Sequence, residues 1–505
     1  MIAARSQRMT AHPPLRAGQR LELPLRSPLW AWLAAAVVLV AYLCADRENQ
    51  FLGAVVSALL FALAQWLLPA CRPVLSAPLC PWNWALFLFF LQLVIMPFSF
   101  LTLGPSIGVL PELPSDLAIN MAMAVTCVAF LAFAITYQYL SRRSASPKES
   151  KVPLQRSPTV ESSAPSLFVW LCFVLGIAGF FLAFHNIGGL VDYFENPAES
   201  TEQAAVAAHT LAGVASLFLR PFLGFGLVML WCKWLDWTRQ RKSPRGTVLL
   251  TLASMLGVML SYSTFNYNRG AFVVPLVAML ATLLRRAKWI SYRSVIAAGA
   301  VLVVVLILAP FWAVYRTDSG GDLLDSPVSE LFRDRIDLVD TLQMYGSGPQ
   351  YLGFLLERSD WGRTPNLGST LFPSVVEPLP VIGRQFRASS GPTIYNEMIY
   401  GASGIEDQII PFSGEMFLNF HIFGVMAGFC LLSIVAYRLQ QLFERASSSL
   451  EVYIWQYAAV WILFLVLGSI SVASQILFYF FWPIYLYFAL KWAAQLHTSR
   501  VTQKI

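Results

Sequence analysis

Apolar residues fall along this chain in long uninterrupted runs, without the one-sided or alternating pattern of a water-soluble fold. Twelve runs are long enough for a bilayer, which an α-helix crosses in roughly 20 residues. They cover residues 29–45, 51–70, 82–103, 117–140, 166–184, 211–235, 247–267, 271–284, 294–314, 412–437, 452–469 and 474–492. The pattern predicts an all-α integral membrane protein of about 12 transmembrane helices. Two polar stretches interrupt it. Residues 141–165, rich in Ser, Pro and Lys, read as a disordered connector. Residues 315–411 are far longer than a connection between helices needs. They carry Trp361, several Phe and Tyr, and a segment from Leu331 to Leu342 with apolar residues at helical spacing, preceded by Ser326-Pro327 as an N-cap and first helical position. This stretch is expected to be an ordered, partly helical loop.

Composition agrees with the pattern: 57% of residues are hydrophobic, 12% are charged, and the mean hydropathy is +0.60. Charge adds an orientation. Of the 35 basic residues, 25 fall on one side of the predicted helices, including all seven Lys. The positive-inside rule makes that side cytoplasmic. Both termini, residues 1–28 and 493–505, are then cytoplasmic, as is the connector 141–165. Nine helices fill residues 29–314 and three fill 412–492. The loop 315–411, with seven Arg, no Lys and thirteen acidic residues, lies outside. Insertion thus accounts for the net charge of +7, and no nucleic-acid partner is implied. The seven Cys lie in or beside the apolar runs without disulfide or zinc spacing, so no metal or cofactor is expected. Residues 29–45 lack a small-residue cleavage site at Ala41-Tyr42-Leu43-Cys44 and read as a retained anchor. No repeat at half the chain length is visible, which speaks against a duplicated transporter.

Ionisable residues in hydrocarbon are expensive and therefore candidates for function. Arg220, Arg269 and Arg316 all fall near the outer membrane face. Guanidinium binds phosphate bidentately and stays charged when partly desolvated. Alternatively each snorkels to lipid headgroups or pairs with a carboxylate. Arg384 and Arg387 in the loop extend the anion site or simply face solvent. The tenth run opens with Glu415 and Asn419, four residues apart and so on one helix face, followed by His421. Glu415 is a candidate functional carboxylate, or one placed to suit the helix dipole. Gly424 and Gly428 read as close-packing positions.

Gly414-Glu415-x-x-x-Asn419-x-x-x-x-Gly424, with Pro411 and Ser413 ahead of it, resembles the signature that opens the span after the large periplasmic loop in bacterial O-antigen polymerases. The turn Asn268-Arg269-Gly270 is similar to an Arg-Gly element earlier in that family, and the order of parts matches loosely from about residue 166 onward. One departure is His421, where the family usually has Gly. The resemblance implies a GT-C-like membrane glycosyltransferase of the bacterial inner membrane, working without metal. Its donor and acceptor would be undecaprenyl-diphosphate-linked oligosaccharides, with Arg220, Arg269 and Arg316 holding the diphosphate, Asn419, Arg384 and Arg387 binding substrate, and Glu415 as the first candidate for the base that takes the acceptor proton, His421 the second, and His185 and His209 lesser ones. Expected partners are membrane lipids, a chain-length regulator protein and a flippase. O-antigen ligase is the nearest alternative. A lipid-linked oligosaccharide flippase and a structural subunit of an assembly complex are further ones.

Overall fold

A computed structural model of the chain describes residues 28–74, 77–144, 166–185, 210–241, 244–262, 269–286, 338–359, 365–380, 382–401 and 408–502. Every regular element among them is helical. Leu29–Cys44 (α1) and Leu52–Leu67 (α2) come first, then a broken helix made of Pro81–Phe90 (α3), a π-helical turn Leu91–Ile95 and Met96–Leu103 (α4). Asp116–Ser144 (α5), Ser166–His185 (α6), Leu211–Arg241 (α7), Pro244–Tyr262 (α8) and Arg269–Arg286 (α9) follow. Short helices Leu338–Tyr345 (α10), Pro349–Arg358 (α11), Leu371–Val376 (α12) and Gly391–Tyr400 (α13) precede Phe412–Arg445 (α14). Ser449–Leu463 (α15), Ile470–Tyr479 (α16) and Trp482–Thr502 (α17) close the chain.

Among the described residues six helices are long and apolar enough to cross a membrane, and a seventh crossing arises if the bent pair Ile470–Tyr479 and Trp482–Leu496, at 56°, counts as one. Leu29–Cys44, Leu52–Leu67 and Leu249–Tyr262 are shorter apolar helices. The expected run at 294–314 lies outside the described residues, as do the tail 1–27, the connector from 145 and the predicted helix start at Ser326-Pro327.

The helices are turned inside out relative to a soluble bundle. Along α8, Leu249, Leu252, Leu256 and Leu260 are exposed, at helical spacing. Its opposite face buries Thr247, Thr251 and Ser261. Thr251 Oγ1 donates to the Thr247 carbonyl and accepts from Trp231 Nε1 at 3.0 Å. An apolar face outward and a polar face inward suits a hydrocarbon solvent, where only the protein can supply hydrogen-bond partners. Glycine allows the closest packing: a Cβ at Gly176 would lie 2.2 Å from the Leu223 nitrogen, and one at Gly179 2.7 Å from that of Arg220. The α6 and α7 backbones touch there, as small residues permit.

Polar residues gather at the two ends of the bundle. At one end Arg285 donates to the Glu444 carbonyl, Lys491 pairs with Glu451 at 2.7 Å, and Asp236 accepts from Ser449. At the other, Gln343 donates to the Gly104 carbonyl, Ser115 N–H donates to Glu357, and Arg358 pairs with Glu112 at 2.6 Å. The segment 104–115 therefore lies against α10 and α11.

Candidate active site

The expected tenth span is two helices. Inside α14, Phe420 (φ −142°, ψ 20°) and His421 (φ 55°, ψ −150°) leave helical geometry. Beyond them the chain doubles back. The rings of Phe412 and Phe429 have centroids 5.3 Å apart, whereas 17 residues of straight helix would separate them by about 25 Å. A Cβ on Gly424 would lie 2.4 Å from the Met416 carbonyl oxygen, and one on Gly428 would press on Met416 and Phe412. Residues 412–419 thus form a short helix folded against residues 422–445. The latter segment, about 36 Å long at 1.5 Å per residue, can span a bilayer alone. The two glycines do pack closely, but against their own chain.

The short helix holds Glu415 and Asn419, both fully buried. Ser374 Oγ, on α12, donates to Glu415 Oε1 at 2.5 Å, and its oxygen accepts from Gly391 N–H at 3.0 Å. Glu415 Oε2 accepts from Ile470 N–H at 3.2 Å. Gly391 and Ile470 are the first residues of α13 and α16, whose N-caps Ser390 and Ser469 accept from Thr393 and Val472 N–H. Two helix N-termini, one acting through Ser374, therefore face the carboxylate, an arrangement that suits negative charge. Among the described residues no basic side chain pairs with it. Gly391 has to be glycine for this contact, since a Cβ there would lie 2.7 Å from Glu415 Oε1.

Asn419 completes the joint. Its Nδ2 donates to Thr370 Oγ1 and to the Glu415 carbonyl, each at 2.7 Å. Where the short helix ends, the Leu418 and Asn419 carbonyls accept from Asn366 and Leu367 N–H, both at 3.0 Å. A helix end otherwise leaves such carbonyls unbonded. Ser471 and Ser474 tie α16 to Glu377 and the Ser374 carbonyl, and Tyr479 donates to the Pro378 carbonyl. Residues 365–380, 382–400, 412–419 and 470–479 thus form one hydrogen-bonded body centred on Glu415.

Comparison with protein-family profiles, curated proteins and solved structures finds no match for this chain.

The remaining predicted residues are spread more widely. His421 is half-buried at the break, its ring 5.6 Å from that of Phe417 and nearly perpendicular to it. Arg220 is half-buried on α7 and donates to Ser216 Oγ at 2.8 Å. Phe218, two residues earlier, packs against Tyr479 and Trp482 at the bend between α16 and α17. Arg384 and Arg387 are exposed on the 3-10 turns just before Ser390. Arg269 begins α9, but its side chain is outside the described residues, as are Arg316, Asn268 and His209. His185 ends α6 and is exposed.

Sequence reading did not single out Thr370, Ser374, Gly391 or the Ile470 amide. Ser390-Gly391-Pro392 carries an N-cap pattern that marks the start of α13. Nothing in the sequence ties that start to a carboxylate 24 residues later. Chemically, the buried tie and the half-buried imidazole at the break are different resources. A base must come within hydrogen-bond reach of the proton it takes, and only His421 of the two candidates has accessible surface.

Proposed function

We propose that the chain is a membrane polymerase that joins lipid-linked oligosaccharide repeat units, a GT-C-like glycosyltransferase of about 12 helices in a bacterial inner membrane. In this reading both termini are cytoplasmic and the chemistry is periplasmic. One observation carries it: the Gly414-Glu415-x-x-x-Asn419 element, on which the sequence resemblance rests, is the buried joint between the long polar segment and the membrane bundle.

In the transfer, an acceptor sugar hydroxyl attacks the anomeric carbon of the donor, the bond from that carbon to the diphosphate oxygen breaks, and the hydroxyl proton passes to a base. Preorganised positive charge stabilises the departing diphosphate, the role given to Arg220, Arg269 and Arg316. Because Glu415 is enclosed, the reading gives it the positioning role and makes His421 the base. Arg384 and Arg387 would bind substrate.

The test is elongation by the purified protein in vesicles supplied with lipid-linked repeat units. A ladder of longer lipid-linked glycans is expected. Transfer only to a lipid A core acceptor would indicate a ligase, and donor crossing the bilayer without growth would indicate a flippase. His421→Asn removes the base and keeps a polar, non-glycine side chain at the break. It should lower turnover about 10²–10⁴-fold. Undiminished turnover would sink the assignment of His421.

A further inference from the structure

We infer that residues 365–387 are seated in the bilayer interface, with apolar side chains immersed and Arg384 and Arg387 against phospholipid phosphates. Two contacts join the parts of this surface. Phe372 packs edge-on to Phe386 at 5.3 Å, and a Cβ on Gly368 would lie 3.1 Å from the Phe420 ring. Leu367, beside Gly368, is 77% exposed, Phe372 60% and Phe423, one turn past the break, 77%.

Side chains of this size are not left in water as a contiguous patch without reason. What covers the patch follows from continuity. Phe423 heads the exposed apolar stripe Phe423, Met426, Leu431, Ile434 and Val435, which runs down the 422–445 segment. That segment is the part of α14 long enough to span, so the stripe is its lipid face. The patch on residues 367–372 continues the same face past the end of the span, where hydrocarbon gives way to headgroups.

Charge fits the same occupant. Arg384 and Arg387 flank Phe386, so two guanidinium groups border the aromatic surface, and guanidinium pairs with phosphate in a fork-like geometry. Apolar residues beside Arg are the composition of interfacial elements. The break at Phe420–His421 has a use here, since it turns Phe420 and Phe423 outward while Glu415 and Asn419 stay enclosed. The inference needs no glycan chemistry; it gives Arg384 and Arg387 a phospholipid partner in place of the substrate role named above, and a measurement without lipid-linked sugar separates the two.

The test uses the full chain in phosphatidylcholine vesicles with and without phosphatidylglycerol, and no lipid-linked sugar. Phe372→Cys carries a nitroxide, with Cys44 and Cys430 changed to Ser. The other five cysteines are buried. The collision rates measured are those with oxygen, which partitions into lipid, and with a water-soluble nickel chelate. The oxygen-to-nickel ratio at 372 should resemble that of a label at Phe423, several-fold above one at Glu112. Phosphatidylglycerol should raise it about twofold, and Arg384→Gln with Arg387→Gln should abolish that rise. A ratio equal to that at Glu112 would overturn the inference. So would indifference to anionic lipid and to the arginines. Efficient disulfide formation between Phe372→Cys copies would also do so, by seating a second chain on the patch.

Discussion

Two of the long apolar helices are broken, and for different reasons. In the third predicted run the break is the π-helical turn Leu91–Ile95 before Pro97. Proline has no N–H to offer the carbonyl four residues back, which is that of Leu93. Ser57 Oγ, on α2, lies 3.0 Å from that carbonyl and can donate to it, and Gln92 Nε2 donates to the Val466 carbonyl. The helix continues onward. In α14 no proline intervenes, and the chain reverses at Phe420–His421. That reversal is held from a distance, by Asn366, Leu367, Thr370, Ser374 and Ile470. A break with a covalent cause stands by itself, whereas one without depends on every segment that touches it.

If that is right, the second break should be the fragile one. Gly424 is where the two arms touch, and the neighbour that a Cβ would meet at 2.4 Å is a backbone oxygen that cannot rotate away. Gly424→Ala should destabilise the chain by about 3 kcal/mol, the upper range for overpacking. This would be read as a lowered thermal midpoint in detergent. An unchanged midpoint would mean that the two arms do not lie in contact.

Ser374→Ala tests the remote support. It leaves the Gly391 N–H and one Glu415 oxygen without the partner that now joins them, and unsatisfied buried groups cost about 1–3 kcal/mol. The loss should be local. Hydrogen exchange in 371–376 and 391–400 should speed up while α5 and α15 stay protected. Uniform protection across all four would show that Ser374 bears no such load.

This contrast also marks what the sequence could reveal. Apolar runs located most of the helices, because hydrophobic length is a property of each segment alone. The sequence reading passed over Pro97 and Pro483, which stand at the π-turn and just beyond the bend between α16 and α17, and so read each run as one unbroken span. Glu415 and Asn419 could be picked out as polar residues in an apolar helix, with their common face. Their partners could not. Thr370 and Ser374 are ordinary hydroxyl residues 49 and 41 positions away, and the reversal rests on two residues, Phe420 and His421, that leave helical geometry with no proline or glycine between them to mark it. Periodicity continues smoothly through that point, so one span was expected where there are two helices. The arginine cluster stays an expectation, since Arg316 and the Arg269 side chain lie outside the described residues.

His421 supplies a milder and opposite effect. Its φ of 55° with ψ of −150° belongs to a region used almost only by glycine, and such strain amounts to roughly 1–3 kcal/mol. His421→Gly should relieve it, less about 0.5–1 kcal/mol for the freer unfolded chain. The midpoint should therefore rise by the equivalent of about 1 kcal/mol, even as the proposed chemistry is lost. A fall would mean that the imidazole contact with Phe417 outweighs the strain.

The smallest effect is expected at the proline break, and it takes two substitutions to see it. Pro97→Ala restores an N–H that could bond the Leu93 carbonyl, so the gain of one helical hydrogen bond competes with the bond that Ser57 Oγ can donate to the same carbonyl. These terms are each about 1 kcal/mol and opposed, so the single change should move stability by less than that. The informative quantity is the coupling. With Pro97 present, the Leu93 carbonyl lacks its usual donor four residues on, Ser57 Oγ, which also lies 2.9 Å from the Ala54 carbonyl, can donate to it, and Ser57→Ala should cost about 1 kcal/mol. In the Pro97→Ala background the helix itself can supply the donor, and Ser57→Ala should cost almost nothing. Neighbours that share a partner are non-additive in this way. Equal costs in the two backgrounds would mean that proline does not cause the π-turn. The first break would then rest, like the second, on the contacts around it.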